Sequence, residues 1–506
     1  MNLSNIYKSA LSGTPDKAAY ICGNTAVSYR SLDENSRRYT AALKVLGIEK
    51  GDRVALTMHN IPQLPQLYIA LYRLGAIAVP ISPYSTAAEL NYALVHSSAR
   101  LLLVSLELYN TALEAVANAP TIEKTIIVDD QGETGGDFHF ELAEQPVDAC
   151  AMDPSDPAMI LYTSGSTAKP KGIVYSSKSL QSCVACRCET LIMTTDDIYF
   201  NAGFLCHGAA LTMTLLPALY TGGTALFPTK FNTSEFWPSV GRYKPTIAAL
   251  GPSQLWTVLE HPLCSLTDFS SLRYVTSGGD VVSNQLHELF LRTIKFPLSE
   301  SIGMTECGTY LTTRPRMLHK IGSMGKPVVG SEVRLVNDQG SDVSLGETGQ
   351  IIVRTESCMS GYWNDEKNTA LTIVDGWLQT GDVGRQDEDG YYYFAGRIKN
   401  MIVRDACNIS PKEVEDAIKQ HPIVKDCGIV GIPDPCHGQK VIAFILLHVE
   451  EDSLDEHELE KFTASIIMGP RLPDKWVQVK ELPSTQLGKL DRKKLQKMAE
   501  VFGGTQ

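Results

Sequence analysis

Segments with helical periodicity alternate with short apolar segments typical of strands up to about residue 310, and this alternation is the tightest constraint on the fold. The helical pattern SRRYTAALKVLGI precedes the strand-like GDRVALTM, and ELNYALVHSSAR precedes LLLVS. Because a helix between two strands returns the chain to the same end of a sheet, such alternation favours parallel pairing. The sequence therefore predicts an α/β fold whose large N-terminal region consists of βαβ subdomains.

The pattern changes from about residue 320, where short strands are separated by Gly and Asp. VRLVNDQG, GQIIVRT and YYYFAGRIKNMIV are typical of a small antiparallel ribbon or barrel. Beyond Arg397, helices at SPKEVEDAIKQH and DEHELEKFTASII and strands near CGIVGI and VIAFILLHV predict a small α+β domain. We place the boundary in the polar segment that includes Lys399, which predicts an N-terminal domain over residues 1–397, a hinge over residues 398–400 and a C-terminal domain over residues 401–506.

Composition narrows the classes of partner. The chain of 506 residues carries 45 Lys and Arg against 57 Asp and Glu, a formal charge of -12. An acidic chain repels phosphate backbones, so we expect no nucleic-acid binding, although backbone N–H groups and single lysines can still hold a small nucleotide. No apolar stretch reaches the ~18 residues of a membrane span, and none has the form of a signal peptide. Together with twelve scattered cysteines, this predicts a cytoplasmic protein with free thiols.

Residues 161–172, LYTSGSTAKPKG, form the strongest candidate for a binding site. A strand-like segment enters, small and hydroxylated residues follow, and two lysines close the segment. Small residues let backbone N–H groups surround an anion, and hydroxyls and lysines add donors and positive charge. The spacing is not that of the Walker motif. The pattern favours a phosphate cradle, and the alternative is an ordinary turn rich in Ser and Gly.

Four further segments carry polar residues of the kind that nucleotide chemistry uses: SIGMTE at 301–306, TGD at 380–382, GRIK at 396–399 and STQLGK at 484–489. Each of them alone is weak. Glu306 is either a Mg²⁺ ligand or a solvated loop acid, and Asp382 either binds ribose hydroxyls or caps a turn. Lys489 on its own is an ordinary surface lysine.

The ordered set of motifs resembles the adenylate-forming superfamily, which includes acyl- and aryl-CoA synthetases, peptide-synthetase adenylation domains and firefly-type luciferases. The resemblance runs from about residue 25 to residue 495 and is strongest to the acyl- and aryl-CoA synthetase branch. After the core motif YTSGSTAKPKG, the matching segments follow in the family's order: SLRYVTSGGD, SIGMTE, GWLQTGDVGRQDEDGYYYFAGRIKN, ISPKEVED and PSTQLGKLDRKKL. The resemblance implies ATP- and Mg-dependent activation of a carboxylic acid to an acyl-adenylate, and then transfer to the thiol of CoA. A carrier-protein phosphopantetheine as acceptor stays open, and so does the less similar class of luciferase-type oxidoreductases.

The resemblance also implies a role for each matching residue. The ATP phosphates would be cradled by Thr163, Ser164, Gly165, Ser166, Thr167 and Lys171. Adenine and the acyl pocket would be lined by Gly278, Gly279, Asp280, Ile302, Gly303 and Met304. Thr305 would touch a phosphate, and Glu306 would hold Mg²⁺. Asp382 would bind both ribose hydroxyls with help from Arg397. Lys489, from a C-terminal domain that moves between the two steps, would reach the substrate carboxylate and the α-phosphate.

The chemistry requires these residue types. A carboxylate that attacks a phosphate is one anion approaching another, so lysine and Mg²⁺ must offset the repulsion and stabilise the charge that grows in the transition state. The substrate carboxylate is itself the nucleophile. Positioning and electrostatics therefore suffice, and no Ser-His-Asp arrangement is expected.

The identity of the acid is only partly constrained. His207, in FLCHGAALTMTLLPALYTGG, matches a histidine that gates the acyl pocket in acyl- and aryl-CoA synthetases, and the alternative is a histidine satisfied at a helix start. The residues after it offer no carboxylate, so an α-amino acid, whose ammonium would be buried unpaired, is disfavoured. Further pocket residues are predicted at Phe204, Ala248, Gly251, Ser277 and Gly308. Most of these are small, which suits an aryl or medium acyl group, and aryl, aliphatic and β-amino acids all stay open.

Several positions depart from the family's pattern. Ile302 stands where an aromatic residue is usual, which predicts weaker ATP binding through lost stacking. Asp405 and Ala406 replace a usual double glycine, and their Cβ atoms disfavour positive φ at a segment that serves the thioester step. Asn400 stands at the hinge position, where Asp or Lys is usual. The sequence predicts nothing about the oligomeric state.

Overall fold

The computed structural model describes residues 3–128, 149–163, 170–279, 282–404, 407–434, 437–449, 454–467, 469–485 and 490–503. The chain forms two compact units. The first comprises Met1–Val333 and Val353–Leu378, and the second comprises Arg334–Ile352 and Gln379–Gln506. The predicted hinge over residues 398–400 forms a single 3₁₀ turn inside the second unit, and its role as a domain boundary stays a prediction.

The strands follow one another in two series. Those up to residue 327 are β1 (Ala18–Cys22), β2 (Thr25–Ser28), β3 (Arg53–Thr57), β4 (Ile77–Pro80), β5 (Leu101–Val104), β6 (Lys124–Ile127), β7 (Pro157–Thr163), β8 (Lys171–Ser176), β9 (Ile198–Asn201), β10 (Thr224–Phe227), β11 (Ile247–Leu250), β12 (Tyr274–Gly278), β13 (Ser299–Met304), β14 (Gly308–Thr312) and β15 (Lys326–Pro327). Those that follow are β16 (Ser331–Val336), β17 (Gly349–Thr355), β18 (Gly361–Tyr362), β19 (Ile373–Val374), β20 (Trp377–Gln386), β21 (Tyr392–Arg397), β22 (Ile402–Arg404), β23 (Cys407–Ile409), β24 (Val424–Asp434), β25 (Gly438–Leu447) and β26 (Lys475–Gln478).

The α-helices are α1 (Lys8–Gly13), α2 (Tyr29–Val45), α3 (Gln63–Leu74), α4 (Ala87–Ser97), α5 (Tyr109–Val116), α6 (Ser177–Thr190), α7 (Gly208–Ala210), α8 (Leu216–Thr221), α9 (Thr233–Tyr243), α10 (Pro252–Glu260), α11 (Asn284–Ile294), α12 (Glu366–Thr372), α13 (Pro411–Ile418), α14 (Glu456–Ala464) and α15 (Arg492–Gly503). Local chemistry sets their ends. At α4, the Thr86 side chain accepts from the Glu89 N–H and the Glu89 carboxylate accepts from the Thr86 N–H, a reciprocal cap. None of the helices within the described ranges combines the length and apolarity that a membrane span requires.

The larger sheet of the first unit has nine strands in the order β15-β14-β13-β12-β11-β9-β10-β1-β2. Strands β13, β12, β11, β9, β10 and β1 pair in parallel, whereas β2, β14 and β15 are antiparallel additions. Helices α9, α10 and α11 bury apolar side chains such as Trp237, Leu255 and Phe290 in a core shared with Phe200 and Val275 from the strands. The carboxyl ends of parallel strands meet at one edge of a sheet, so the segments that follow β9, β11, β12 and β13 lie side by side.

The second sheet of the first unit has seven strands in the order β18-β8-β7-β4-β3-β5-β6. Its strands β7, β4, β3, β5 and β6 pair in parallel, and β8 and β18 extend it in antiparallel fashion. One face of this sheet packs against helices in an apolar core that includes Leu94, Leu102 and Ile160. The two sheets confirm the predicted α/β fold of βαβ subdomains.

The predicted antiparallel ribbon is a five-stranded sheet in the order β16-β17-β20-β19, with β21 paired to β20. The predicted α+β domain is also confirmed. Its β24 and β25 form a long antiparallel pair, and β26 joins β25 in parallel. Val414 of α13 and Leu495 of α15 contribute to two separate apolar cores within this part of the chain.

Candidate active site

The predicted phosphate cradle lies at the turn between β7 and β8 of the first unit. The two strands pair with Thr163 opposite Lys171, so these residues stand at the mouth of the turn. A Cβ atom on Gly172 would lie 3.0 Å from Ile160 and 3.2 Å from Trp363, which explains the glycine beside Lys171. Ser164, Gly165, Ser166 and Thr167, the remaining predicted cradle residues, lie outside the described residues.

Lys171 is held by a tyrosine that the sequence analysis did not single out. Its Nζ lies 4.4 Å from the centre of the Tyr362 ring, a distance at which a cation is attracted to the aromatic face. Tyr362 ends β18, whose pairing with β8 places it opposite Ile173. The only signal in the sequence is the segment MSGYWN itself, which carries no charged residue to draw attention.

The same tyrosine reaches Glu306. The Tyr362 hydroxyl donates a hydrogen bond of 2.9 Å to Glu306 Oε1, and the Met359 N–H donates one of 2.7 Å to the Glu306 carbonyl. Burial, and then the neighbouring Glu306 carboxylate, raise the pKa of Tyr362, so its hydroxyl stays protonated and able to donate. Thr305 is fixed by a 2.8 Å hydrogen bond from the Tyr175 hydroxyl to its carbonyl. Lys171 of the cradle motif and Glu306 of the SIGMTE motif are thus brought together by Tyr362, with Thr305 next to Glu306 in the chain.

Glu306 is a carboxylate of the kind that binds Mg²⁺ together with a nucleotide. Across the described residues, no group of three or more His, Cys, Asp and Glu side chains could hold a metal ion. Mg²⁺ commonly takes one or two carboxylates, keeps several waters and completes its shell with substrate phosphates. A single carboxylate near a phosphate-binding lysine suits that arrangement.

Two glycines allow the strands of the predicted adenine site to approach each other closely. A Cβ atom on Gly278, at the end of β12, would overlap the Ser301 carbonyl oxygen of β13. One on Gly303 would lie 2.5 Å from the Gly308 carbonyl oxygen of β14. Side chains at these points would push the strands apart, so the glycines are required by packing.

The other predicted residues of this region are partly described. Ile302, Gly303 and Met304 occupy the end of β13 and are half-buried, and Gly279 has a φ of 80° just after β12. Asp280 lies outside the described residues. The Ser277 side chain is buried, and its hydroxyl has no hydrogen-bond partner within the described part of the chain.

His207 lies on the same edge of the nine-stranded sheet, after β9. It is exposed and caps α7, and its Nδ1 accepts a 3.3 Å hydrogen bond from the Ala209 N–H. In the neutral ring the proton therefore lies on Nε2. The following residues, Leu211–Leu215, form a π-helical turn, a feature that often marks functional sites and that no residue pattern predicted.

A row of aromatic rings leads to His207. The ring centres of His59 and Tyr84 lie 5.3 Å apart, those of Tyr84 and Phe204 5.6 Å, and those of Phe204 and His207 5.9 Å, all in edge-to-face geometry. Tyr84, which the sequence analysis missed, is 52% exposed, an unusual position for a large ring. The row gives this edge of the sheet an aromatic wall.

The remaining predicted pocket residues occupy the same unit. Ala248 is buried in β11, and Gly251 caps the N-terminus of α10 directly after that strand. Gly308 has a φ of 69°, and a Cβ atom there would lie 2.7 Å from the Cys183 sulfur. The segments that carry His207, Gly251, Gly278 and Thr305 therefore follow four neighbouring parallel strands.

Asp382 and Arg397 form a pair inside the second unit. They face each other on β20 and β21, and Arg397 Nε lies 2.8 Å from Asp382 Oδ1. The Asp382 side chain is fully buried, and its N–H donates to the Thr380 hydroxyl at 3.0 Å. A carboxylate can accept several hydrogen bonds at once, so the pair with Arg397 is compatible with further donors.

Four further predicted residues belong to the C-terminal part of the chain. Lys489, Asp405 and Ala406 lie outside the described residues. Asn400 ends the 3₁₀ turn Ile398–Asn400. The roles predicted for these four residues stay predictions.

The chain matches two family models. The model described as AMP-binding enzyme matches residues 7–363, and the model described as AMP-binding enzyme C-terminal domain matches residues 413–489. The first alone spans more than half of the 506 residues.

Similar proteins extend over almost the whole chain. A feruloyl-CoA synthase of an Amycolatopsis species is 31% identical over 481 residues, which are 94% of this chain and 95% of the relative. An indoleacetate–CoA ligase of Aromatoleum aromaticum is 31% identical over 483 residues, 94% of each chain. A long-chain-fatty-acid–CoA ligase of Yersinia pestis is 30% identical and covers 100% of this chain and 95% of its own length.

Two solved structures of acid–CoA ligases superpose on almost the whole chain. An anthranilate CoA ligase in complex with anthranoyl-AMP superposes with a TM-score of 0.90 at 28% identity, covering 100% of this chain and 98% of the other. An o-succinylbenzoate CoA synthetase of Bacillus subtilis with its acyl-adenylate gives 0.85 at 26% identity and 97% coverage of each chain. The chain therefore belongs to the AMP-binding enzyme family and so to the adenylate-forming superfamily that its ordered motifs predict.

Proposed function

We propose that the protein activates an aromatic carboxylic acid with ATP and transfers the acyl group to CoA. As a member of its family, it is an AMP-forming acid–thiol ligase. In the first step a carboxylate oxygen bonds to the α-phosphorus while the bond from that phosphorus to pyrophosphate breaks. In the second step the thiol sulfur bonds to the acyl carbon, the bond to AMP breaks, and the thiol proton is released.

The observation that carries this proposal is the joint placement of Lys171 and Glu306 through Tyr362. Lys171 binds phosphate oxygens of ATP, together with the cradle residues Thr163 to Thr167, and Thr305 contacts a phosphate. Glu306 holds Mg²⁺, which supplies positive charge at the phosphate oxygens when it is bound. Positive charge from Lys171 and from Mg²⁺, held at fixed points, is what the attack of one anion on another requires.

Asp382, Arg397 and Lys489 carry the remaining roles toward the nucleotide and the acid. Asp382 accepts hydrogen bonds from both ribose hydroxyls, and Arg397 orients its carboxylate. Lys489 neutralises the substrate carboxylate and the α-phosphate during the first step. Gly278, Gly279 and Ile302 to Met304 line the adenine, where Ile302 gives apolar contact without ring stacking.

The proposal of an aromatic acid rests on two observations. The feruloyl-, indoleacetate- and anthranilate-specific enzymes named above all act on aromatic acids. The edge of the sheet at His207 carries the rings of Phe204 and Tyr84, and ring edges and faces attract one another beyond simple burial. Of the small residues predicted for the pocket, Gly251 leaves room for a planar group, because an added Cβ atom there would meet only the Gln254 side-chain oxygen, at 3.4 Å.

CoA is favoured over a carrier protein as the thiol because the relatives of nearly equal length are CoA ligases. The described cysteines are all free thiols, which suits a reducing compartment such as the cytoplasm, where ATP and CoA are available.

Acid-dependent exchange of pyrophosphate into ATP tests the first step. The panel should contain ferulate, indole-3-acetate, anthranilate, decanoate and phenylalanine, followed by thioester assays with CoA and with a phosphopantetheinyl carrier protein. We expect exchange with at least one aromatic acid, no exchange with phenylalanine, and a thioester only with CoA. Exchange confined to decanoate or phenylalanine, or loading confined to the carrier protein, would contradict the proposal.

A further inference from the structure

Tyr362 contacts both charged residues of the proposed phosphate site at once. Its ring faces Lys171 Nζ at 4.4 Å, and its hydroxyl donates to Glu306 Oε1 at 2.9 Å. One uncharged side chain is therefore the partner of a cation on one side and of an anion on the other.

The two charges do not neutralise each other. Neither Lys171 nor Glu306 forms an ion pair within the described part of the chain. Both contact Tyr362, Lys171 through the ring and Glu306 through the hydroxyl. Asp365 is a second carboxylate, and it accepts hydrogen bonds from the Asn368 N–H at 3.1 Å and from Asn368 Nδ2 at 2.6 Å. These bonds, and to a smaller extent the charge of Lys171, lower the pKa of Asp365. A lysine on a long flexible stem would otherwise reach a nearby carboxylate.

The position of Tyr362 is fixed by its backbone. Its N–H donates a 2.8 Å hydrogen bond to the Thr369 hydroxyl, and the following Trp363 N–H donates one of 2.7 Å to the Gly172 carbonyl. Gly361 before it has a φ of 151°, and a Cβ atom there would lie 2.9 Å from Thr369. These contacts fix the backbone from which the ring projects toward Lys171.

We propose that Tyr362 is a positioning residue that separates Lys171 from Glu306 and keeps both available for the nucleotide. The proposal rests on the proposed function, in which Lys171 binds ATP phosphates and Glu306 binds Mg²⁺. The face of the ring holds the ammonium without consuming its charge in an ion pair, and the hydroxyl orients the carboxylate without neutralising it. Without the ring, Lys171 and Glu306 pair, and the site loses a phosphate-binding cation and a metal ligand together.

The test is a double-mutant cycle on the binding of metal-free ATP, measured by calorimetry in the presence of a chelator. The variants are Tyr362→Leu, Glu306→Gln and the two combined. We expect Tyr362→Leu to weaken metal-free ATP binding about tenfold in the wild-type background and less than about twofold in the Glu306→Gln background, because only the charged residue can capture Lys171. An equal loss in both backgrounds, or no loss in the wild type, would overturn the proposal.

Tyr362→Phe separates the ring from the hydroxyl. The ring remains over Lys171, so metal-free ATP binding should stay within about twofold of wild type, while the Mg²⁺ concentration for half-maximal exchange should rise severalfold because Glu306 loses its donor. An unchanged Mg²⁺ requirement would contradict the orienting role of the hydroxyl.

Controls separate this inference from folding and from the proposed function. Tyr220→Leu, at a partly exposed tyrosine of α8, should change neither ATP binding nor the Mg²⁺ requirement. Thermal unfolding of each variant checks that it is folded. If the wild type binds ATP but exchanges pyrophosphate with no acid, the proposed function fails. If the binding losses in the cycle are additive, only the positioning role of Tyr362 is contradicted, and the proposed function stands.

Discussion

The Asp382 carboxylate is fully buried, and its Oδ1 lies 2.8 Å from Nε of Arg397, whose side chain is 46% exposed. The asymmetry has a consequence for stability. Removing the exposed partner would leave a charge without its counterion in a place that water does not reach, and such a loss costs more than an exposed ion pair contributes.

Arg397→Met should therefore destabilise the second unit by about 1–3 kcal/mol and also weaken ATP binding, since Asp382 loses the group that orients it. The matched control is Arg30→Met, because Arg30 pairs with Asp16 at 2.9 Å while both side chains are largely exposed. We expect the control to leave the unfolding temperature close to that of the wild type, since exposed ion pairs contribute little to stability. Thermal unfolding and ATP titration measure both effects, and equal shifts for the two variants would refute the argument.

Gly278→Ala should disrupt the adenine edge of the nine-stranded sheet. The added methyl group would overlap the Ser301 carbonyl oxygen, and a backbone atom cannot rotate away as a side chain can. We expect ATP affinity to fall by at least about tenfold or stability by more than about 2 kcal/mol. Gly241→Ala, in α9 with its nearest atom at 3.8 Å, is the control, and it should be neutral or stabilising by about 0.5 kcal/mol. A folded Gly278→Ala variant with wild-type ATP binding would contradict this prediction.

Lys489→Ala should lower the rate of adenylation by more than about 10²–10³, because a full charge is lost from the transition state, and should change ATP binding only mildly. Thioester formation from supplied acyl-adenylate should persist, since the lysine serves the first step only. The control is Lys494→Ala, which removes an exposed lysine that follows Lys489 in the same C-terminal segment of the sequence. It should leave both steps unchanged. Wild-type exchange rates in Lys489→Ala would exclude its proposed role.

The fold and the motif residues follow from the sequence because both depend on local patterns. The period of the apolar residues predicts the βαβ subdomains, and the cluster of small residues before Lys171 predicts the cradle. Tyr362 could not be found in this way, because its partner Glu306 is 56 residues distant and Lys171 lies on another strand. The pairing of β18 with β8 brings Tyr362 to Lys171, and the hydrogen bond from the Met359 N–H to the Glu306 carbonyl holds the segment of Tyr362 beside Glu306. Contacts between distant segments leave no periodic trace in the sequence.

The π-helical turn at Leu211–Leu215 escaped prediction for a related reason. LTMTL has the apolar spacing of an ordinary buried helix, and the extra residue in the turn is set by what surrounds it. His207, in contrast, could be singled out because its motif has a fixed context, and the structure places it at the N-terminus of α7, the helix that precedes that turn.

The hinge prediction concerns Asn400, the last residue of the 3₁₀ turn Ile398–Asn400. Lys489 and the segment ISPKEVED are about 80 residues apart and are predicted to serve different steps, so one rigid arrangement of the C-terminal part cannot serve both. A residue at the pivot must change its backbone angles without strain. Asn tolerates unusual φ and ψ values better than most residues with a Cβ atom, which suits it to that position.

Asn400→Pro should therefore keep most of the adenylation activity and strongly reduce thioester formation, because proline fixes φ, removes the N–H donor and restricts the residue before it. Asp338→Pro is the control, since Asp338 follows Asn337 in an exposed turn closed by a 2.9 Å hydrogen bond from the Gly340 N–H, a position where proline is favoured. It should alter neither half-reaction. Pyrophosphate exchange and thioester formation are measured separately on each variant. If Asn400→Pro reduces the two half-reactions equally, Asn400 is an ordinary loop residue, and the motion that would let one site perform both steps must pivot elsewhere.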